Sequence, residues 1–235
     1  MTAGREPLSR GLILRTAVAY ADENGLTALT MRRLGQVLGV EAMSLYHYVN
    51  GREDLLEGMV GEVVSGVELP RSDTLGPADG WQAFLQHAAH EVRRVATTHP
   101  NLFPLMATHP PAAPWLRPPL RSLELVEEFL SGLVRRGLPE HAAVDVYKVF
   151  TGFLLGHLLL EVSQLGAETG PADEPLDEGS ATVSSSEAEP GGGLDLSNCP
   201  TVLRLREPLS AHDPAAEFEK SLEAMLDRLD RELSQ

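Results

Sequence analysis

Apolar residues recur at spacings of three and four along most of the chain, which is the pattern of amphipathic helices. In the first 67 residues this pattern is interrupted at Asn24-Gly25, Gly39 and Asn50-Gly51. Glycine readily takes the left-handed conformation that ends a helix, so these positions predict four short helices, the second over 31–38 and the fourth over 52–67. Thr30 is placed to cap the second helix. We expect the inward side chains of the second and third helices to be Leu34, Val37, Leu38, Val40 and Leu45.

Beyond residue 80 the same periodicity predicts helices over 81–98, 120–136, 140–165 and 215–234. A polar linker precedes them at 69–80, and seven prolines between 100 and 119 should break the chain into short pieces. The apolar run 149–160 is too short to span a bilayer and predicts a buried helix. A stripe on the last helix should form a seam for a neighbouring helix: Phe218, Leu222, Met225, Leu226, Leu229 and Leu233. The predicted fold is all-α, with a smaller domain over 1–66 and a larger one over 67–235.

The charge is unevenly distributed. The 235 residues carry a net charge of −15, which excludes a wholly basic nucleic-acid coat and a polybasic membrane binder. Residues 167–200 hold eight carboxylates and no Lys or Arg, and we predict a disordered acidic loop there. Residues 1–50 are instead slightly basic. The single cysteine, Cys199, excludes an internal disulfide and a zinc finger. The N-terminus has no secretory pattern, so we expect a cytoplasmic protein without membrane contact.

Residues 29–56 carry the most specific pattern, LTMRRLGQVLGVEAMSLYHYVNGREDLL. It reads as helix, glycine turn, helix, glycine break and helix, which is typical of a helix-turn-helix unit. The outward side chains of the second of these helices are small, hydroxyl-bearing or aromatic, which suits a DNA major groove. Those predicted DNA contacts are Ala42, Met43, Ser44, Tyr46, His47 and Tyr48. Arg32 can reach a base edge or a phosphate, and Thr30 and Arg52 are placed to bind phosphates.

This stretch resembles the N-terminal domain of the tetracycline repressor (TetR) family, and the helical plan of the remaining chain resembles that family more weakly. The resemblance implies a homodimeric repressor that binds a palindromic operator and is released by a small-molecule effector held in an all-helical C-terminal domain. It places Arg32, Ser44, Tyr46 and Tyr48 at the family's DNA-contact positions and Arg52 at its phosphate-binding lysine. Ala42 and Met43 stand where the tetracycline repressor has glutamine and proline, so we expect a different operator sequence.

The effector side departs further from the tetracycline repressor, which holds a magnesium–drug complex with polar side chains. Ala88, Val92 and Met106 lie near those positions, and no His/Asp/Glu pair at i, i+4 spacing is expected to converge on the apolar face. We therefore predict no metal and no other cofactor, and a largely apolar effector. The predicted pocket residues are Phe84, His87, Phe103, Met106, Trp115, Phe150, Phe153 and His157.

Two other classes of function have less support in the sequence. An enzyme is not expected, because the sequence has no nucleophile elbow, no phosphate-cradling glycine loop and no HExxH metal motif. A helical protein-interaction module could use the stripe 218–233 on a foreign partner. Salt-sensitive operator binding and self-association to a dimer distinguish the regulator from both. In that dimer we expect a four-helix bundle from 140–165 and 215–234 of each chain, and half-sites about one helical turn apart.

Overall fold

A computed structural model describes residues 7–70, 76, 79–108, 117, 120, 122–167 and 198–234. Within these residues the chain is helical and contains no strand, so the predicted all-α class is confirmed. The helices are α1 Arg10–Asn24, α2 Met31–Leu38, α3 Ala42–Leu45, α4 Arg52–Ser65, α5 Gly80–Thr98, α6 Phe103–Thr108, α7 Leu123–Arg135, α8 Glu140–Gln164, α9 Pro200–Ser210 and α10 Pro214–Leu233.

Local capping defines the ends of the first two helices. The Ser9 hydroxyl accepts a hydrogen bond from the backbone N–H of Leu12 at 3.2 Å. The Thr30 hydroxyl accepts one from the backbone N–H of Arg33 at 3.1 Å. Gly39 ends α2 in the left-handed conformation, with φ of 62°. Each cap satisfies a backbone group that the helix itself leaves unpaired. The boundaries predicted for α2 therefore match the structure.

The N-terminal helices pack around α1, which contacts both α2 and α4. The helix α2 also packs on α3. Ile13, Leu34, Leu45 and Met59 are fully buried there. The prediction that Val37 points inward is wrong, because its side chain is 55% exposed. Only eight residues form α2, and Leu34 and Gly35 already fill its inward face.

Four of the remaining helices pack on α8. It contacts α5, α6, α7 and α10, and its buried positions include Phe150, Leu154 and Leu158. By length and composition alone, this 25-residue helix would be long and apolar enough to cross a membrane. Core helices of folded domains meet the same criterion, and α8 packs on four neighbours. We therefore interpret it as the central core helix, as the apolar run predicts.

The C-terminal stripe packs within the same chain. Phe218, Leu222, Leu226 and Leu229 of α10 are buried, and α10 contacts α5 and α8. The sequence pattern did not predict the helix α9. Pro200 lies in the first turn, where no backbone N–H is needed, and every residue of α9 is exposed. Most of the predicted acidic loop, 168–197, lies outside the described residues.

Candidate nucleic-acid interface and effector core

The turn between α2 and α3 is closed by backbone contacts. Gly39 donates to Gln36, and Val40 donates to the carbonyl of Gly35 at 2.9 Å. Val40 is partly buried against the core and Leu45 is completely buried. These contacts fix α3 across α2, which is the arrangement that a helix-turn-helix needs to present one helix outward.

The outward surface of α3 and the turn after it contains large exposed side chains. Met43 is 73% exposed, Tyr46 45% and Tyr48 38%. His47 and Arg32 are also exposed, whereas Ala42 and Ser44 are half-buried. An exposed surface of two tyrosines and a methionine offers apolar contact and hydroxyl groups and carries no formal charge, a combination suited to base edges.

Thr30 and Arg52 have structural roles at the edge of this surface. The Thr30 side chain caps α2 and stays exposed. Arg52 is half-buried, and its Nη1 donates to the carbonyl of Leu29 at 2.6 Å. Burial lowers the pKa of the Arg52 guanidinium from its usual value. Phosphate contact by these two residues stays a prediction.

An aromatic cluster forms the centre of the C-terminal domain. The ring of Phe129 in α7 lies 5.7 Å from that of Phe84, 5.2 Å from that of Phe150 and 5.9 Å from that of Tyr147. The Tyr147 hydroxyl accepts a hydrogen bond from the backbone N–H of Arg117 at 2.9 Å, and burial raises its pKa. Phe84 and Phe150, predicted pocket residues, therefore lie together in a largely apolar cluster. Phe129 and Tyr147 belong to it and were not singled out in the sequence.

Phe153 and His157 belong to a second cluster, formed around Phe218 of α10. The Phe218 ring lies 5.9 Å from Phe153 and 5.3 Å from His157, and the Arg93 guanidinium lies 5.1 Å from its centroid. Arg93 also forms a two-bond ion pair with Glu161, at 2.7 and 3.0 Å. This second cluster therefore joins α5, α8 and α10.

The expectation of no i, i+4 acidic or histidine pair on the apolar face needs correction. His157 and Glu161 have that spacing on α8, and Glu161 is buried. The Glu161 carboxylate binds Arg93, so burial of its charge is compensated by an ion pair from the neighbouring helix. No group of three or more His, Cys, Asp or Glu side chains that could hold a metal occurs among the described residues.

The other predicted pocket residues are dispersed. Phe103 and Met106 of α6 are buried, and α6 packs on α8. His87 of α5 is exposed. Trp115 lies outside the described residues.

The corner between α5 and α6 contacts the N-terminal domain. The His99 Nδ1 lies 2.8 Å from Asp22 Oδ2, and the Asn101 amide donates to the carbonyls of Ala21 and Asp22 at 3.0 and 3.3 Å. Asn101 thus satisfies carbonyl groups at the C-terminal end of α1.

A second set of contacts joins α5 to the segment after α4. Arg94 donates to the carbonyl of Gly66 at 3.2 Å, and the backbone N–H of Glu68 donates to Glu91 at 3.2 Å. An open cleft of about 260 Å³ lies between α1, α4 and α5, and Arg15, Glu62 and Val95 contribute to its walls. The two domains are therefore joined by specific polar contacts beside an unfilled space.

A helix-turn-helix domain joined to a helical domain with an aromatic core defines a class of one-component DNA-binding regulators. Residues 75–233 match the family model described as the tetracyclin repressor-like C-terminal domain. The repressor DrrR1 of Streptomyces coeruleorubidus is 31% identical over 163 residues, which cover 68% of this chain and 57% of that protein. The class C tetracycline repressor of Escherichia coli is 30% identical over 171 residues, covering 71% of this chain and 73% of that protein.

Solved structures give the same result for the fold. A possible TetR-family regulator of Streptomyces coelicolor A3(2) is 26% identical with a TM-score of 0.68, covering 95% of this chain and 99% of that one. Streptomyces coelicolor ActR in complex with actinorhodin is 24% identical with a TM-score of 0.69, covering 98% of this chain and 100% of that one. The chain belongs to the tetracycline repressor family, whose members are ligand-responsive transcriptional repressors and not enzymes. The predicted family, regulatory class and absence of enzymatic activity are confirmed.

Proposed function

We propose that this protein is a cytoplasmic repressor that binds a palindromic operator as a homodimer and is released by a small, largely apolar effector. The observation that carries the proposal is the exposed surface of α3 and its following turn, with Met43 at 73% and Tyr46 at 45% exposure above a buried Leu45. Neighbouring exposed apolar side chains of this kind often mark a surface that contacts a partner. Arg32, exposed on the adjacent α2, adds a cation that can reach phosphate or a base edge.

The proposed dimer uses the exposed face of α8. Val149, Gly152, Gly156 and Leu160 follow one another at spacings of three and four, and all four are exposed. Nothing lies within 4 Å of a Cβ placed on either glycine. Such a face lets a second α8 approach closely, since the small side chains set the distance between packed helices. A two-fold dimer would then carry two α3 helices to the two halves of a palindrome.

The proposed effector site is the aromatic core around Phe84, Phe129 and Phe150, together with Phe103 and Met106 of α6. These side chains are apolar and buried, and the Tyr147 hydroxyl adds a polar group to the cluster. Pockets of this composition hold largely apolar ligands and orient them through a few polar contacts. We infer a largely apolar small molecule; ActR, which has a similar fold, was solved in complex with actinorhodin.

Coupling between the two sites is proposed to run through the α5–α6 corner. Phe103 begins α6 only two residues after Asn101, whose amide holds the end of α1. A ligand that displaces α6 would therefore pull on α1, and the open cleft beside α4 leaves room for that movement. Coupling free energies in allosteric proteins are typically about 1–3 kcal/mol, or roughly 5- to 150-fold in affinity.

The test is fluorescence anisotropy with the DNA immediately upstream of the protein's own gene, or with a site selected from random sequence, at two salt concentrations. We expect tight, salt-sensitive binding that Tyr46→Ala weakens by tenfold or more, since a good base contact contributes about 1–3 kcal/mol. His141→Ala serves as the matched control, because His141 is also exposed but lies at the start of α8. Equal binding of all DNA sequences by the wild type would contradict the proposal.

A further inference from the structure

The end of the turn that follows α3 is held by a residue from the start of α1. The Arg10 Nη1 donates to the carbonyl oxygen of Tyr48 at 2.8 Å, across 38 positions of sequence. The same guanidinium forms a two-bond pair with Asp54 of α4, at 2.6 and 3.1 Å. Asp54 in turn accepts a hydrogen bond from the backbone N–H of Asn50 at 2.6 Å.

These four residues connect three elements at one point. Arg10 lies in the first turn of α1, Asp54 in the first turn of α4, and Tyr48 and Asn50 in the segment leaving α3. The hydrogen bond with Arg10 holds the pKa of the Asp54 carboxyl at about 2, so the carboxylate stays ionised to a lower pH than an ordinary aspartate does. Two parallel bonds between a guanidinium and a carboxylate also fix orientation.

The helix α3 needs such support because it is short. It has four residues, and few backbone hydrogen bonds of its own define its direction. Leu45 anchors it to the core from below, and the Arg10–Tyr48 bond anchors the chain just beyond it. Between these two anchors lie Tyr46 and His47 of the exposed surface.

We propose that Arg10 and Asp54 are positioning residues for sequence-specific DNA binding, which set the orientation of Tyr46, His47 and Tyr48 without reading bases themselves. The inference rests on the proposed DNA-binding function and adds two residues to it. Binding sites lose function when their supporting groups allow displacements beyond about 0.5 Å. Loss of the hydrogen bonds that join Arg10 to Tyr48 and Asp54 should therefore reduce the preference for the operator more than the affinity for DNA in general.

Asp54→Asn provides the sharpest test, because positioning and electrostatics predict opposite results. Removing a carboxylate near DNA reduces repulsion, so a purely electrostatic effect tightens binding to all sequences. A positioning role instead lowers the ratio of operator to random-DNA affinity, by about tenfold, comparable to losing one base-pair contact. Glu53→Gln is the matched control, since Glu53 is the neighbouring, exposed carboxylate of the same helical turn.

Arg10→Gln should give the same loss of preference, and Arg10→Lys should partly restore it, since an ammonium can still reach the Tyr48 carbonyl. The double variant Arg10→Gln/Asp54→Asn should have an operator preference little lower than that of either single variant, because each substitution disrupts the same set of hydrogen bonds. The slope of log affinity against log salt should stay unchanged in Arg10→Gln. Circular dichroism and urea unfolding establish that each variant is folded at the assay temperature.

Two results would overturn the inference while leaving the proposed function intact. One is an Asp54→Asn variant with the same operator preference as Glu53→Gln. The other is an Arg10→Gln variant that weakens operator and random DNA equally and reduces the salt slope by about one, which would identify Arg10 as a phosphate contact. A wild-type protein that selects no DNA sequence would instead overturn the proposed function, and the inference with it.

Discussion

A Cβ atom on Gly35 would lie 2.9 Å from the carbonyl oxygen of Val40. The nearest obstacle is backbone, and the backbone N and Cα of Ala42 lie only 3.2 and 3.3 Å from the same position. The turn between α2 and α3 therefore approaches α2 more closely than any residue with a side chain permits. Glycine at this position allows α3 to cross α2 at its observed angle.

Gly35→Ala should lower both stability and operator affinity. We expect a loss of about 1–3 kcal/mol in unfolding free energy, because the turn must move away from the added methyl group. Since α3 moves with the turn, operator binding should weaken by tenfold or more. Urea unfolding and anisotropy measure the two effects.

The control for this variant is Gly61→Ala in α4. Gly61 is exposed and helical, and nothing lies within 4 Å of its Cβ position. Alanine there should raise the unfolding free energy by up to about 1 kcal/mol, as it does in open helical positions. Similar effects of the two substitutions would contradict the close-approach explanation.

Gly39→Ala tests the turn by a different physical effect. Gly39 has φ of 62°, where an alanine Cβ crowds the following carbonyl and costs about 1–2 kcal/mol. Gly39→Asn should cost less, because asparagine tolerates this conformation better than other side chains. Urea unfolding of the two variants checks the order. Equal stability of Gly39→Ala and the wild type would show that the turn relaxes to another conformation.

The ion pair between Arg10 and Asp54 predicts a dependence of stability on pH. The pKa of Asp54 is about 2 in the folded protein against an ordinary 3.8, so the folded state binds its proton less readily. The resulting stabilisation is fully present above pH about 4 and is lost as the pH falls towards 2. The difference in unfolding free energy between the wild type and Asp54→Asn should therefore shrink across this range. A difference that stays constant from pH 5 to 2.5 would contradict the depressed pKa.

Local features of the fold could be predicted from the sequence. Thr30, Gly39 and the Asn50-Gly51 break act within a few residues of their own position, so a reader of the sequence can place α2 and the start of α4 from them. The inward position of Val37 was wrong for a related reason: in a helix of only eight residues, periodicity does not say how wide the buried face is.

The contacts that hold the candidate site could not be predicted in this way. Arg10 meets Asp54 across 44 positions, and Arg93 meets Glu161 across 68. No sequence spacing identifies such partners, because they meet only after the helices pack. The His157/Glu161 spacing was available in the sequence, but its partner Arg93 becomes evident only in the fold.

The pair between Arg93 and Glu161 predicts a large effect of a small substitution. Glu161→Gln keeps the shape of the side chain but removes the carboxylate that pairs with Arg93, at a site where Glu161 is 5% and Arg93 22% exposed. Breaking a buried pair costs about 3–5 kcal/mol, and the partial exposure of Arg93 places the expected loss near the lower end. Urea unfolding measures it, with Glu127→Gln on the exposed face of α7 as control.

Replacing both partners should be less damaging than replacing one. In Arg93→Met/Glu161→Met, neither charge is buried, and the unfolding free energy should recover most of the loss. A double variant less stable than Glu161→Gln would indicate that the pair stabilises the fold beyond the cost of burying its charges.

The exposed glycines of α8 give the most direct test of the dimer. Gly156→Arg places a long charged side chain on the face formed by Val149, Gly152 and Leu160, where a second α8 would have to approach closely. We expect light scattering to give a mass of about twice the 25.4 kDa of one chain for the wild type. The variant should have a mass close to that of one chain. Gly61→Arg is the control, since that glycine is equally open but lies in α4.

Because one chain presents one half-site contact, the monomeric variant should also lose most operator affinity while its far-ultraviolet circular dichroism stays helical. A Gly156→Arg protein that remains dimeric would place the interface on another face.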